Sequence, residues 1–381
     1  MELVTEKPLT NTIPEGYRRT EVGVIPDDWE MRFINDFAHI GTGNKNTEDK
    51  IDDGKYPFYV RSSKVERINS YSFDGEAVLT AGDGVNTGKI FHYIDGKFDY
   101  HQRVYKISNF NDDIDGYYFY LAFSQYFYER VMGMTAKSSV DSVRMEMIAD
   151  MKLPFPPTIE EQLAIAEALS DVDTLIAELD ALIEKKQQVK KGAMQQLLSG
   201  KKRLPGFDGE WEEKELGDLL TVMHGKSQKS VASESGEYQI LGTSGQIGKA
   251  TSYLYDKPSV LIGRKGTIDR PQYMEEPFWT IDTLFYTQVN ERAIAKFLYY
   301  RFLLVDWTSY NEASGVPSLN SSTIENIEIN FPPKLEEQKG IVNILSDMDA
   351  EIRALQQKRE KYQKIKQGMM QELLTGKTRL I

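Results

Sequence analysis

Two stretches of this sequence carry glycines and a lysine at spacings that could cradle a phosphate. The first is Gly82-Asp83-Gly84-Val85-Asn86-Thr87-Gly88-Lys89, and the second runs from Gly242 to Gly248-Lys249-Ala250. A phosphate-binding loop needs a glycine five residues before the Gly of its Gly-Lys pair, where the backbone must approach the phosphates. It also needs a Ser or Thr after the lysine to hold magnesium. Asp83 and Thr243 stand at the glycine position, and Ile90 and Ala250 follow the lysines. Neither stretch meets the chemistry of a nucleotide site. Asn330-Phe331-Pro332-Pro333 holds the letters of an amino-methyltransferase motif in the wrong order, and no dinucleotide-type glycine fingerprint precedes it. Pro26-Asp27-Asp28-Trp29-Glu30 opens like a nuclease acidic motif, but Glu30-Met31-Arg32 stands where a Glu-x-Lys partner is required. No Ser-His-Asp set or paired-carboxylate site emerges. None of these motifs supplies a catalytic, cofactor or metal site, and catalytic residues dispersed along the chain stay open at this point.

Composition narrows the classes further. The chain has 381 residues, 40% hydrophobic and 27% charged, an ordinary globular mixture with room for more than one core. It has no cysteine, which excludes disulfides, thiolate metal sites and thiol catalysis, and its 4 histidines leave little for a histidine metal site. No run is long enough to cross a bilayer, and the first residues have no basic start followed by an apolar stretch, so no secretory signal is expected; the absence of cysteine fits a cytoplasmic home. The net charge of −12 weighs against a simple DNA-binding protein, which normally carries a basic footprint.

The elements that must position any functional residue come in two copies. Pro156-Pro157-Thr158-Ile159-Glu160-Glu161-Gln162 returns as Pro332-Pro333-Lys334-Leu335-Glu336-Glu337-Gln338, an offset of 332 − 156 = 176. The match holds without a gap to Gly200-Lys201-Lys202-Arg203-Leu204 and Gly376-Lys377-Thr378-Arg379-Leu380. Trp29-Glu30 recurs as Trp211-Glu212 at 211 − 29 = 182, and between these anchors the similarity fades to a pattern. Self-similarity on this scale makes the chain an internal repeat.

The similar segments read as long amphipathic helices. Ile165, Leu169, Val172, Ile176, Leu179 and Ile183 form a heptad seam, as do Ile341, Leu345, Met348, Ile352 and Leu355. Leu175, Leu182 and Val189, with Ile344 and Ile365, are expected to widen the apolar stripe. Thr158 with Glu161 forms a capping box, which Lys334 spoils in the second copy, and Gly200 and Gly376 are natural stops. Each helix would span about 60 Å. Two such stripes are best buried against each other as an antiparallel coiled coil. The alternative is that each helix packs on the block before it. The segments between them read as compact α+β blocks with short β-runs, Pro57–Val60, Ala77–Thr80, Val104–Ile107, Gln239–Leu241 and Ser259–Ile262. An aromatic-rich stretch in each, Tyr117 to Tyr128 and Phe297 to Trp307, reads as helical core rather than as a base-stacking surface. The expected fold class is thus α+β, with two globular domains (1–157 and 204–333) separated by two helical spacers (158–203 and 334–381).

This layout resembles the type I restriction-modification specificity subunits. The resemblance rests on Glu21-Val22-Gly23-Val24-Ile25-Pro26-Asp27-Asp28-Trp29, on Pro-Pro-x-x-Glu-Glu-Gln-x-x-Ile seen twice, and on Met-x-x-Leu-Leu-x-Gly-Lys-x-Arg-Leu seen twice. It covers nearly the whole chain. It implies that each block is a target recognition domain, that the helices set the distance between two DNA half-sites, and that two methyltransferase subunits join the chain and methylate adenine with S-adenosylmethionine. It leaves room for restriction subunits that translocate and cleave, and it implies that the chain itself catalyses nothing and binds no cofactor or metal.

Base reading needs forked donors and acceptors on loops that face a groove. The candidates are Arg61, Lys64, Lys89, His101, Gln102, Arg103 and Lys137 in the first block, and Ser244, Lys249, Arg264, Lys265, Ser314 and Asn320 in the second. Residues 1–157 hold 18 basic and 25 acidic side chains, and residues 204–332 hold 11 and 18, so each block is −7. Unaided phosphate binding is then weak, and the methyltransferase subunits are expected to supply much of the grip. Two other readings remain at this point: a coiled-coil adaptor that binds only proteins, and a self-contained methyltransferase or nuclease with degenerate motifs.

Overall fold

The computed structural model describes residues 13–84, 86–134 and 142–380. Contacts divide the chain into two units, the described parts of Met1–Glu178 with Lys358–Ile381, and Leu179–Gln357.

The first unit opens with a hairpin of β1 (Tyr17–Thr20) and β2 (Gly23–Pro26). Strand β3 (Glu30–Phe33) runs into the single-turn helix α1 (Ile34–Phe37). A six-stranded sheet follows from β4 (His39–Thr42), β5 (Tyr56–Tyr59), β6 (Glu66–Ile68), β7 (Phe73–Ala81), β8 (Phe91–Tyr100) and β9 (Val104–Ser108), in the order β4-β9-β7-β8-β5-β6. Its pairs are antiparallel except β5 with β8. The aromatic stretch is the helix α2 (Gly116–Gly133), started by Asp115, whose carboxylate accepts from the Tyr118 N–H. Tyr118, Phe119, Phe123 and Phe127 are fully buried, so this stretch is core. The short helix α3 (Met145–Ala149) leads to β10 (Lys152–Phe155), which pairs with β3 and closes the block.

Helix α4 (Ile159–Leu197) then begins, with the Thr158 hydroxyl accepting from the Glu161 N–H at 3.3 Å. In the second unit β11 (Glu212–Glu215) is followed by β12 (Leu220–His224), β13 (Tyr238–Gly242), β14 (Gly245–Ala250), β15 (Ser259–Gly263), β16 (Gln272–Met274), β17 (Phe278–Thr280) and β18 (Leu284–Val289). They form the sheets β12-β18-β15-β16 and β14-β13-β17, the pair β13 with β17 being parallel. Helix α5 (Ala295–Phe302), the one-turn α6 (Ser321–Glu325) and β19 (Glu328–Phe331), paired with β11, complete this block before α7 (Leu335–Leu373). The strand runs read from sequence coincide with β5, β7, β9, β13 and β15. The two blocks share one plan, and both are α+β.

The helices are used in halves. In the first unit Ile165 and Leu169 near the start of α4, and Leu373 and Leu374 at the end of α7, join one core with Trp29, Phe119 and Phe155. In the second unit Ile341 and Leu345 from the start of α7, and Met194, Leu197 and Leu198 from the end of α4, join Phe297, Trp307 and Phe331. The segments run antiparallel in each unit. Asp173 pairs with Lys366 at 2.6 Å, and Lys190 with Asp349 at 2.5 Å. These are one pair at the same offset, 366 − 190 = 349 − 173 = 176. Pairing and packing on the preceding block thus occur together.

The repeated phrases bond to each other crosswise. Glu161 is 1% exposed and receives Arg379 at 2.5 and 2.8 Å; Glu337 is 1% exposed and receives Arg203 at 2.7 and 2.8 Å. The adjacent glutamine ties the helix start to the loop before α2 or α5. Gln162 accepts from the Asp115 N–H and donates to the Asp113 carbonyl, both at 3.0 Å. Gln338 does the same with Ile294 at 2.9 Å and Arg292 at 3.0 Å. Both helices end as read. Gly200 and Gly376 take φ of +74° and +66°, and a Cβ on either would crowd a tryptophan, Trp211 at 3.0 Å or Trp29 at 3.1 Å. One expectation fails. Leu182, Val189, Ile344 and Ile365 are 38%, 52%, 36% and 38% exposed, so these flanking rows do not widen the buried stripe. A heptad seam pairs on a and d alone, and among the described residues no third layer covers its flank.

Candidate nucleic-acid interface

The glycine-rich turn after β7 is the centre of the candidate surface in the first unit. Backbone bonds fix it: Gly82 N–H donates to the Arg103 carbonyl at 2.8 Å, and Val143 N–H to the Gly82 carbonyl at 2.7 Å. Asp83 forms a bridge with Ser142, and Gly84 turns the chain at φ +99°. The Asp83 carboxylate receives Arg61 Nη1 at 2.9 Å and Arg103 Nη1 at 2.6 Å. Burial raises the Asp83 pKa, but the hydrogen bonds from Arg61 and Arg103 outweigh it and hold the carboxyl below its ordinary value. Arg61 and Lys89 share the lining of a cavity of about 590 Å³ with Ser62, Ser63 and Asn86.

The structure therefore gathers Arg61, Lys89 and Arg103 on one exposed rim. Lys89 lies 4.2 Å from the Tyr128 ring centroid, a cation–π contact that leaves its ammonium on the surface. Gln102 is exposed and donates to Asn46 Oδ1 at 2.5 Å. Lys64 is held by Glu66 at 3.0 Å on the β5–β6 hairpin. His101 is only 4% exposed, and its Nδ1 accepts the Arg103 N–H at 2.9 Å, so it shapes the turn from beneath. Lys137 lies outside the described residues.

In the second unit the equivalent turn follows β15. Arg264 N–H donates to the Thr283 carbonyl at 2.9 Å, and Leu319 N–H to the Arg264 carbonyl at 2.9 Å. Lys265 bridges Ser318, and Gly266 has φ +99°. Arg264, Lys265 and Asn320 line one cavity of about 520 Å³ with His224, Asp282 and Glu312. Arg264 Nη1 donates to the Asp282 carbonyl at 3.2 Å, and Lys265 is exposed. Asn320 caps α6, its Oδ1 accepting from the Ser322 N–H at 3.1 Å. Ser244 sits exposed at the tip of the β13–β14 hairpin and Lys249 on β14, while Ser314 is exposed on the loop before Ser318. These three do not line the cavity.

Sequence reading missed the match between the two surfaces. The offset of 182 runs without a gap from Trp29 and Trp211 to Gly84 and Gly266. Gly43 and Gly225, then Gly54 and Gly236, mark it. A Cβ on the first of each pair would run into the backbone of Tyr100 or Ile68, and on the second into that of Ile281 or Ala250. These paired glycines were the available signal. Asp83, an acid between two candidate arginines, was also missed.

Comparison with known proteins agrees with this plan. The family model described as "Type I restriction modification DNA specificity domain" matches twice, over residues 26–191 and 208–367. The MjaVIII type I restriction enzyme specificity subunit of Methanocaldococcus jannaschii is 27% identical over 413 aligned positions, covering 93% of this chain and 94% of that protein. The EcoDI specificity subunit of Escherichia coli is 30% identical over 167 positions, 44% of this chain and 35% of that one. A crystal structure of the type I restriction-modification S subunit from M. genitalium matches in fold with a TM-score of 0.68 at 19% identity, over 91% of this chain and 96% of that one.

Proposed function

The chain belongs to the type I restriction-modification DNA specificity family, and we propose that it reads an asymmetric, bipartite DNA target with one half-site per globular block. The carrying observation is a single turn built twice on the same backbone bonds, with a cation-bearing rim in each copy. A symmetric dimer reads a palindrome by placing identical readers on neighbouring turns of DNA. Here the two readers lie in one chain and have diverged, so the half-sites differ.

The readers are the blocks 1–157 and 204–333. The segments 158–203 and 334–381 form an antiparallel coiled-coil spacer that fixes the unread gap. Methyltransferase subunits, two per chain, bring S-adenosylmethionine and the chemistry, and restriction subunits belong to assemblies that cleave. The chain supplies discrimination and no catalysis. Among the described candidates, Arg61, Lys64, Lys89, Gln102, Arg103, Ser244, Lys249, Arg264, Lys265, Ser314 and Asn320 present polar groups to the groove. Loss of one true base contact to alanine costs about 1–3 kcal/mol and relaxes one target position.

The test is a genome-wide adenine-methylation map. A methylation-free host expresses this chain with its cognate methyltransferase subunit, and a control lacks this chain. New methylation at one bipartite motif is expected. A soluble complex that adds none would favour the adaptor reading.

A further inference from the structure

The two turns match position for position, and their side chains do not. Arg61, Gly82, Asp83 and Arg103 in the first unit correspond to Thr243, Arg264, Lys265 and Thr283 in the second. The first three pairs follow the constant offset, and the fourth follows from the carbonyl that accepts the turn's N–H in each case. Thr243 lies beside the turn, since a Cβ on Gly266 would meet its hydroxyl at 3.9 Å. So one unit sets two arginines around an acid, and the other sets two threonines around an Arg-Lys pair. The frame stayed fixed while the cations changed places.

Building on the reading of the blocks as DNA readers, we infer that these four positions are the specificity-determining set of each block, and that Asp83 is a positioning residue that orients Arg61 and Arg103 to read guanine in the first half-site. The chemistry follows from what each group has left to offer. A guanidinium carries five N–H donors in a rigid fork, and Asp83 engages one nitrogen of each arginine. The other donors of each fork are not engaged by Asp83 and belong to side chains 42% and 62% exposed; a guanidinium fork matches the O6 and N7 acceptors of guanine in the major groove. A carboxylate on a DNA-facing surface is otherwise repelled by phosphate. Between two arginines it acts as a spacer that holds two flexible side chains in one geometry before DNA arrives. The second unit carries Lys265 at the position of Asp83, and its nearby acids, Asp282 and Glu312, line the cavity from other loops. Its Arg264 and Lys265 sit on the turn itself, flanked by small hydroxyls, and so reach a different pair of acceptors.

The experiment is the methylation map made with D83N and with the triple variant R61T/D83K/R103T, each as the soluble full chain with its methyltransferase subunit. Gly82 is left in place because a Cβ there would lie 3.0 Å from the Arg103 carbonyl oxygen. For D83N we expect guanine positions of the first half-site to loosen, with discrimination falling roughly 5- to 150-fold, while the gap and the second half-site stay as they were. The triple variant should change those same positions. Should D83N not fold, R61K on an exposed side chain carries the same expectation, because a lysine offers a point donor where the fork was. Methylation of the unaltered motif with unaltered preference, loosening spread over both half-sites, or a first half-site without guanine would each overturn the inference and leave the bipartite reading intact. A wild-type map without a bipartite motif would instead remove the reading on which it rests.

Discussion

At the scale of single residues, burial separates the polar side chains that can meet a ligand from those that hold the loop. His101 and His92 belong to the second group. Burial pushes the pKa of both below the ordinary histidine value; at His101 the nearby Arg61 and Arg103 reinforce this and Asp83 and Glu48 oppose it, and at His92 the hydrogen bond between Nε2 and the Ser62 carbonyl opposes it. The sign follows from proton counts. Below pH about 6.5 the unfolded chain takes up protons that the folded histidines refuse, so ν_U exceeds ν_N and stability falls as pH falls. Glu76, whose pKa burial raises, works in the opposite direction, so the variant rather than the wild-type slope isolates the histidines. Urea midpoints between pH 7.5 and 5.5 should fall less steeply for H92Q/H101N, which keeps a polar atom near each bonded ring nitrogen. An unchanged slope would mean that both histidines titrate as in the unfolded chain. The cations were legible in the sequence because Arg61, Arg103, Arg264 and Lys265 stand beside turns. The depth of His101 was not, because it is set by strands that meet only in the fold. Asp83 stands out in the sequence only as the residue that breaks a phosphate-binding loop, because its arginine partners lie 22 and 20 residues away.

At the scale of elements, the helices were read closely at both ends. Thr158, Gly200 and Gly376 are local signals; of the expected capping box only the Thr158 half forms, because both Glu161 carboxylate oxygens receive Arg379. The clamp between Glu161 and Arg379 was not legible, since its partners lie 218 residues apart and each phrase reads alone as a solvated charge. Only the fold shows that the tail of each helix closes on the head of the other. Removing the arginine leaves a carboxylate that is 1% exposed without its cation. R379A should therefore lower stability by about 3–5 kcal/mol, and E161Q/R379M should regain most of it, because the neutral pair carries no buried charge. Urea unfolding followed by circular dichroism measures both. A midpoint unmoved in R379A would make the pair a surface contact of little energy, and a double variant as weak as the single would assign the loss to packing around Trp29.

At the scale of the whole chain, a net charge of −12 must be reconciled with a polyanionic target. The cations on the two rims are few and stand among acids, and each block is −7 by count. Such a surface can discriminate between bases at short range, where forked donors meet their edges, and still gain little from the phosphate field at long range. On the proposed reading, affinity and specificity reside in different subunits, with base contacts on this chain and phosphate contacts on the methyltransferases. The consequence is measurable by titrating target DNA with the free chain and with the assembled complex at several salt concentrations. The free chain should bind no more tightly than about 10⁻⁶ M at physiological salt, the range of non-specific contacts. The complex should reach about 10⁻⁸ M or below. Its log K should fall more steeply with log salt, by about 0.9 per phosphate neutralised. Tight binding by the free chain at physiological salt would place the phosphate grip on these blocks, and equal salt slopes would show that the partners neutralise no additional phosphates.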